Sequence, residues 1–162
     1  MLGGQHDLIP GYPVKKVILA QRSGGFGALR FFVRYDMKRE FGFGRCGLAC
    51  CLCSENSHCH GCSSDECPGS AWCENRKCSG EKGLTGCWQC AEDCRKGLLG
   101  KIKSCAFTQF IKRYGAEELL NCLERNEKNG VVYHREGISG DYDDFTDPEA
   151  LIQFIRTGKH EV

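Results

Sequence analysis

Thirteen of the fourteen cysteines in this 162-residue chain fall between Cys46 and Cys105, and six of them crowd into CGLACCLCSENSHCHGC, residues 46 to 62. What these thiols bond to constrains the fold more than any hydrophobic periodicity does. Apart from cysteine, only eleven of the sixty residues from 46 to 105 are apolar. Burying so few side chains does not offset the conformational entropy lost when the whole segment is ordered. Crosslinks of some kind have to close it.

The start of the chain bears on which crosslinks. MLGGQHDLIPGYPVKK lacks the basic start, apolar stretch and small-residue cleavage site of a secretory signal, and the nearest apolar run, VILA at 17 to 20, is too short to act as one. No stretch approaches the roughly 18 apolar residues of a membrane span. The expectation is a soluble cytoplasmic protein with no membrane partner. In a reducing cytosol, clustered cysteines are more often metal ligands or redox groups than structural disulfides.

Spacing favours metal. A C-x2-C pair fits a tight turn that points two sulfurs at one ion, and two pairs complete a four-thiolate tetrahedron with a Zn–S distance of about 2.3 Å. Cys50 with Cys53, Cys59 with Cys62 and Cys87 with Cys90 have this spacing, and Cys73 with Cys78 in CENRKC offer two further ligands.

CGLACCLC, CHGC, CENRKC and CWQCAEDC, followed by FIKRYGAEELLNCLERNEKNGVVYHREG and GDYDDF, also resemble a widespread cysteine-rich family of small prokaryotic proteins catalogued as a domain of unknown function. The resemblance covers residues 43 to 159. It implies a zinc-binding protein with no established activity, and it maps the family's cysteines onto Cys46, Cys50, Cys53, Cys59, Cys62, Cys73, Cys78, Cys87, Cys90 and Cys94. Cys51, Cys67, Cys105 and Cys122 are additional to that pattern.

Ten candidates exceed the eight that two four-thiolate zinc ions require. The expected partition is Cys50, Cys53, Cys59 and Cys62 for one ion, and Cys73, Cys78, Cys87 and Cys90 for the other. Cys46 and Cys94 are then spare, replacements for one of these, or ligands of a third site. His58 and His60 flank Cys59 and could substitute for a sulfur, though solvated loop residues are the preferred reading. An iron-sulfur redox protein is the rival reading, because Cys46, Cys50 and Cys53 have the C-x3-C-x2-C spacing that offers three thiolates to a cluster. The ferredoxin spacing is not met, and the C-x2-C pairs dominate.

Three segments follow. Residues 1 to 42 form an N-terminal extension, expected as a β-hairpin (VKKVILA and ALRFFVRYD around QRSGGFG) or a mobile arm. A helix from Phe26 to Glu40 would also align Phe26, Leu29 and Val33, and Met37 is an alternative start of translation. Residues 43 to 105 are the cysteine-rich metal-binding module. Residues 106 to 162 are a helical segment expected to pack on it. Phe107, Phe110, Ile111 and Tyr114 make one apolar stripe, Gly115 interrupts it, and Leu119, Leu120 and Leu123 resume on a second helix ended by Gly130, with Cys122 in the core. VVYH reads as a short strand. Asp147 and Pro148 open a last helix with Leu151, Phe154 and Ile155 inward and Gly158 as its stop. The expected class is therefore α+β, a small metal-stapled loop module with a C-terminal helical segment.

Other chemistries find less support. RSGGFG fits neither a phosphate loop nor a dinucleotide turn. The acidic stretch from His134 to Asp144 is not a calcium loop, since Thr146 and Ile152 stand where Gly and Glu are needed; it reads as an acidic turn before the last helix. As reactive thiols, Cys94, followed by Arg95 and Lys96, and Cys51 are the best placed, with ligation or burial the simpler reading of both. Eight thiolates and two zinc ions move the formal charge from +1 to roughly −3, which disfavours nucleic acid except through the basic first segment. The expected function is a non-enzymatic zinc-binding interaction or regulatory module with a protein partner. A thiol or metal-dependent enzyme is the remaining alternative.

Overall fold

The computed structural model describes residues 37–53, 59–62, 64, 66–67, 69–134 and 139–159. It contains four α-helices: α1 (Glu74–Glu81), α2 (Ile102–Tyr114), α3 (Ala116–Lys128) and α4 (Pro148–Thr157). Short 3-10 turns form at Arg39–Phe41, Cys50–Leu52, Cys87–Gln89, Gly97–Gly100 and Asp141–Asp143. No strand occurs among the described residues, and the expected α+β class is corrected to a helical one. The proposed hairpin lies outside the described residues, as does His58. VVYH lies inside them and is irregular. A lone extended segment needs a neighbouring strand to build a ladder, and here Asp141 takes that place. The Val132 N–H donates to Asp141 Oδ2 at 2.7 Å, and the Val132 carbonyl accepts from the Asp141 N–H at 2.8 Å.

The helices form where the apolar spacing requires. Phe107, Phe110 and Ile111 of α2 are buried at i, i+3 and i+4. Tyr114, the fourth residue of that stripe, is instead 42% exposed, with its ring 4.8 Å from Phe110 and the Arg156 guanidinium 5.2 Å from the ring centre. Leu119, Leu120, Cys122 and Leu123 of α3 and Leu151, Ile152, Phe154 and Ile155 of α4 complete the core. Asp147 caps α4 by accepting the Ala150 N–H at 2.8 Å, and Pro148 occupies the first turn. The far end of α4 is satisfied by α3. Buried Asn126 donates from Nδ2 to the Ile155 carbonyl at 2.9 Å, and Arg125 Nη2 donates to the carbonyls of Ile155 (3.0 Å) and Arg156 (2.6 Å). α2 packs against both α3 and α4, and these two pack against each other.

The beginning of the cysteine-rich region docks on this bundle. Ala49, Cys51 and Leu52 belong to the same core as the helices. The Ala49 N–H donates to the buried Tyr133 hydroxyl at 3.1 Å, and Thr108 Oγ1 donates to the Cys46 carbonyl at 2.9 Å. Gly47 makes the close approach possible: its φ is +84°, and a Cβ there would lie 2.8 Å from the Thr108 backbone nitrogen. Lys103, nearly buried, joins Asp143 at 2.7 Å and holds its ammonium 4.4 Å from the centre of the Tyr133 ring. Residues 46–52 are thereby fixed to α2 by burial and hydrogen bonding.

Phe107 is fully buried, whereas Asp147 contributes one exposed cap. Phe107→Ala is expected to cost about 3–5 kcal/mol and Asp147→Ala about 1 kcal/mol in urea unfolding followed by far-ultraviolet circular dichroism. A larger loss at Asp147 would contradict this picture of the core.

Candidate metal centre

All fourteen cysteines are free thiols, and eleven of them fall into three adjoining groups. Cys46, Cys50, Cys62 and Cys73 form the first. Cys50 neighbours Cys46 and Cys62, Cys46 neighbours Cys62 and Cys73, and Cys62 neighbours Cys73, each near enough to oppose the other's ionisation; Cys53 beside Cys50, Cys67 beside Cys62 and Cys87 beside Cys46 join this group to the other two. Gly44 lies beside this group: a Cβ there would stand 3.4 Å from both the Cys50 and the Cys62 sulfur. The missing side chain leaves space shared by the two thiols.

The second group is Cys78 on α1, Cys87 and Cys90 at the ends of a 3-10 turn, and Cys94 beyond it. All four line one cavity of about 20 Å³, with Asn75, Ser79 and Lys82. That is room for roughly one water-sized sphere. Cys94, Cys78 and Cys90 each oppose ionisation of Cys87. Asn75 builds the wall of this cavity. It is buried on the first turn of α1, donates from Nδ2 to the Lys96 carbonyl at 3.1 Å and accepts the Leu98 N–H at 2.8 Å, so α1 holds the loop that carries Cys94. Arg45 joins the first two groups: its N–H is bonded to the Cys62 sulfur, and its carbonyl accepts the Cys87 N–H at 2.7 Å.

The third group is Cys53, Cys59 and Cys67. The Cys59 thiol is hydrogen-bonded to the Cys67 thiol and lies near Cys53.

In electrostatic terms these are sulfurs set up for a cation. Burial pushes the Cys46 thiol up to about 12 and the Cys87 thiol up to about 11, and it raises Cys50 and Cys62 as well. Against burial, backbone N–H groups point at sulfur: Leu48 at Cys46, Cys62 at Cys50, Arg45 at Cys62, and Gly61 at Cys59 over 3.3 Å. A thiol is a weak acceptor and a ligated thiolate a good one, so these donors suit sulfur that has lost its proton. Lys82 adds a positive charge, with Nζ 3.8 Å from the Cys90 sulfur and 2.9 Å from Glu92. Its ammonium is held protonated above the ordinary lysine range, first by Glu92 and then by Cys90. Among the described residues no group of three or more His, Cys, Asp or Glu side chains is placed to hold a metal ion. Rotation about the Cα–Cβ bonds would have to bring neighbouring sulfurs to a shared ion. Soft donors, four to a group and with amide and ammonium partners behind them, fit a thiophilic tetrahedral cation.

These neighbours differ from the expected partition. Cys46 and Cys73 join Cys50 and Cys62, Cys53 neighbours both Cys50 and Cys59, and Cys67 stands beside Cys59 and Cys62. Cys94 replaces Cys73 beside Cys78, Cys87 and Cys90. The helix explains the exchange. Cys73 is the N-cap of α1 and Cys78 its fifth residue, and at 100° per residue five positions send two side chains about 140° apart.

Sequence reasoning passed over Cys67, Asn75 and Cys105. Buried Cys105 accepts from Arg95 Nη1 at 3.0 Å and from Gln109 Nε2 at 3.1 Å, and with Cys94 it lines a groove of about 330 Å³. The Arg95 guanidinium expected to activate Cys94 is thus directed to Cys105. Cys51 and Cys122 lie in the core. His60 pairs with Glu66, and His134 sits against the Tyr133 ring at 4.7 Å. Among the described residues no helix is long and apolar enough to cross a membrane. No family model matches the chain, and no curated protein or solved structure is significantly similar to it.

Two outcomes follow from the geometry. Because burial raises the Cys46, Cys50, Cys62 and Cys87 thiols and so keeps them protonated at neutral pH, loading zinc on these sulfurs should release a proton from each. Affinity should therefore weaken as pH falls, and calorimetric titration in buffers of different ionisation enthalpy measures the release. Asn75→Ala strands the Leu98 N–H and the Lys96 carbonyl, which should cost about 1–3 kcal/mol in urea unfolding.

Proposed function

We propose that this is a zinc-binding protein of the cytoplasm, without catalysis of its own, whose four-cysteine sites are structural and whose folded module engages another protein. One observation carries the reading: Cys78, Cys87, Cys90 and Cys94, contributed by α1, a 3-10 turn and the loop after it, line a single cavity of about 20 Å³. A zinc ion enclosed by four thiolates keeps no position for water or substrate, which is the character of a structural rather than a catalytic site. One ion in each quartet would bond its four donors and release their protons, while Asn75, Arg45 and Lys82 orient the sulfurs and balance their charge.

The iron-sulfur reading needs Cys46, Cys50 and Cys53 to act together; Cys50 does neighbour both of the others, and the zinc reading is preferred because the C-x2-C pairs dominate and the ferredoxin spacing is not met. A protein partner is supported by Trp72, 72% exposed directly beside Cys73. Large aromatic side chains of this kind anchor protein interfaces. The resemblance to the cysteine-rich family remains part of this proposal.

Protein purified without oxygen is expected to be colourless and to carry at least two zinc ions per chain by elemental analysis. Cys90→Ser should lose one of them and melt roughly 10 °C lower. Iron with matching sulfide, or a Cys90→Ser chain with unchanged zinc, would contradict the assignment.

A further inference from the structure

We infer that the groove between α2 and the loop carrying Cys94 is a reaction site for hydrogen peroxide, in which Cys105 is oxidised first and Cys94 then closes a disulfide with it. The disulfide needs no metal. Only its consequence, loss of an ion from the second quartet, rests on the reading above.

Cys105 is held differently from the other cysteines outside the three groups. Cys51, Cys105 and Cys122 are all buried. Cys51 and Cys122 belong to the packed apolar cluster, and Cys122 Sγ donates to Glu118 Oε1 at 3.7 Å. Cys105 is not part of that cluster, and its sulfur receives two donors, Arg95 Nη1 at 3.0 Å and Gln109 Nε2 at 3.1 Å. A neutral thiol is a weak acceptor, whereas sulfur that carries negative charge bonds a guanidinium and an amide strongly. The pair of donors therefore favours the nucleophilic form of the thiol.

The groove supplies access and a second thiol. Its volume is about 330 Å³, with Gln109 and Lys112 of α2 and Asp93 and Cys94 of the loop among its walls. Cys105 is only 4% exposed within it. A sulfur so enclosed is open to a molecule of peroxide size and closed to bulky electrophiles. The loop is clasped onto α2 at both ends: Lys112 Nζ donates to the Cys90 carbonyl at 2.9 Å, and Arg95 reaches Cys105 itself. Cys94 lies between the clasps, directly beside Arg95, in a stretch from 90 to 96 that has no helix. Asp93 meets Arg95 through Nε at 3.8 Å, which leaves Nη1 to the sulfur. Thus α2 fixes one thiol, and an irregular loop tied down over it carries the other, the pairing in which a sulfenic acid is resolved.

The chemistry balances with peroxide as the oxidant. The Cys105 sulfur, having given its proton to solvent, attacks one peroxide oxygen; an S–O bond forms as the O–O bond breaks, and the departing hydroxide takes up a proton to leave as water. The Cys94 sulfur then attacks the sulfenic acid, an S–S bond replaces the S–O bond, and a second water leaves. Two electrons pass from two thiols to one peroxide. Sulfur bound in a disulfide is no longer a thiolate ligand, so an ion held by Cys78, Cys87, Cys90 and Cys94 would lose one of its four donors.

The full chain, purified without oxygen, is treated with an equimolar amount of hydrogen peroxide, quenched in acid, digested and mapped by mass spectrometry. The expected first product is a peptide pair joined through Cys94 and Cys105. Cys105→Ser should abolish it, and Arg95→Ala should slow its formation roughly tenfold, as loss of a hydrogen bond to a charged group predicts. Cys105 left reduced while other thiols oxidise, Cys94 joined instead to Cys78, Cys87 or Cys90, or equal rates in Arg95→Ala and the unaltered chain would each overturn the inference and leave the zinc reading standing. A zinc-binding dye in the same reaction separates the two ideas. Release of one ion in step with the disulfide is expected; the disulfide without release would overturn Cys94 as a ligand and leave the oxidation site standing.

Discussion

Residues 53 to 98 have almost nothing to bury. Their fully buried positions, among those described, are Gly61, Asn75, Ser79 and Gly86. From Leu99 onward the pattern reverses, and Phe107, Phe110, Leu119, Leu123, Leu151 and Ile155 supply an ordinary apolar core. One chain thus contains two regimes of stability, one driven by removal of hydrocarbon from water and one in which inward-facing sulfur takes the place of hydrocarbon. On the proposed zinc reading, a bond to a shared cation in the second regime would do what side-chain packing does in the first, by closing loops that apolar burial leaves open.

The two regimes are welded at residues 44 to 52. Cys51 and Leu52 face the helical core, while Cys46 and Cys50, interleaved with them in sequence, face the first sulfur group. Gly47 lets this turn sit against Thr108, and the Tyr133 hydroxyl holds Ala49 from the other side. Arg45 carries the connection onward, with its N–H on Cys62, its carbonyl on Cys87 and its guanidinium on the Leu84 carbonyl at 2.5 Å. Two sulfur groups are therefore positioned from the helical core through a short, hydrogen-bonded path. The third is joined to the same path by the Cys53 N–H, which donates to the Cys50 carbonyl at 3.2 Å, and by the contact of the Phe41 and His60 rings.

Much of the helical half was legible because its signals are local. Apolar spacing in FTQFIKRY, the Asp147–Pro148 start and the Gly158 stop each act within one or two turns and reappear as α2 and α4. The strand was misread because four β-favouring residues say nothing about whether a partner strand exists, and Asp141 supplied the bonds instead. Within the cysteine region, which sulfurs become neighbours depends on more than spacing. C-x2-C spacing describes single turns, whereas the neighbours of Cys73 and Cys94 depend on α1 and on the loop that Asn75 fixes behind it. A helix of eight residues between two cysteine-rich loops redistributes sulfurs in a way that spacing alone does not reveal. Asn75 itself carries no sequence mark beyond its place on the first turn of that helix.

The central proposal is that sulfur around zinc, rather than apolar packing, holds the cysteine-rich region. X-ray absorption at the zinc edge, on protein purified without oxygen, reads the ion's first shell directly. The account predicts an average shell of nearly all sulfur at about 2.3 Å, with close to four scatterers per zinc. A shell dominated by nitrogen or oxygen, or absorption at the iron edge in place of zinc, would contradict it.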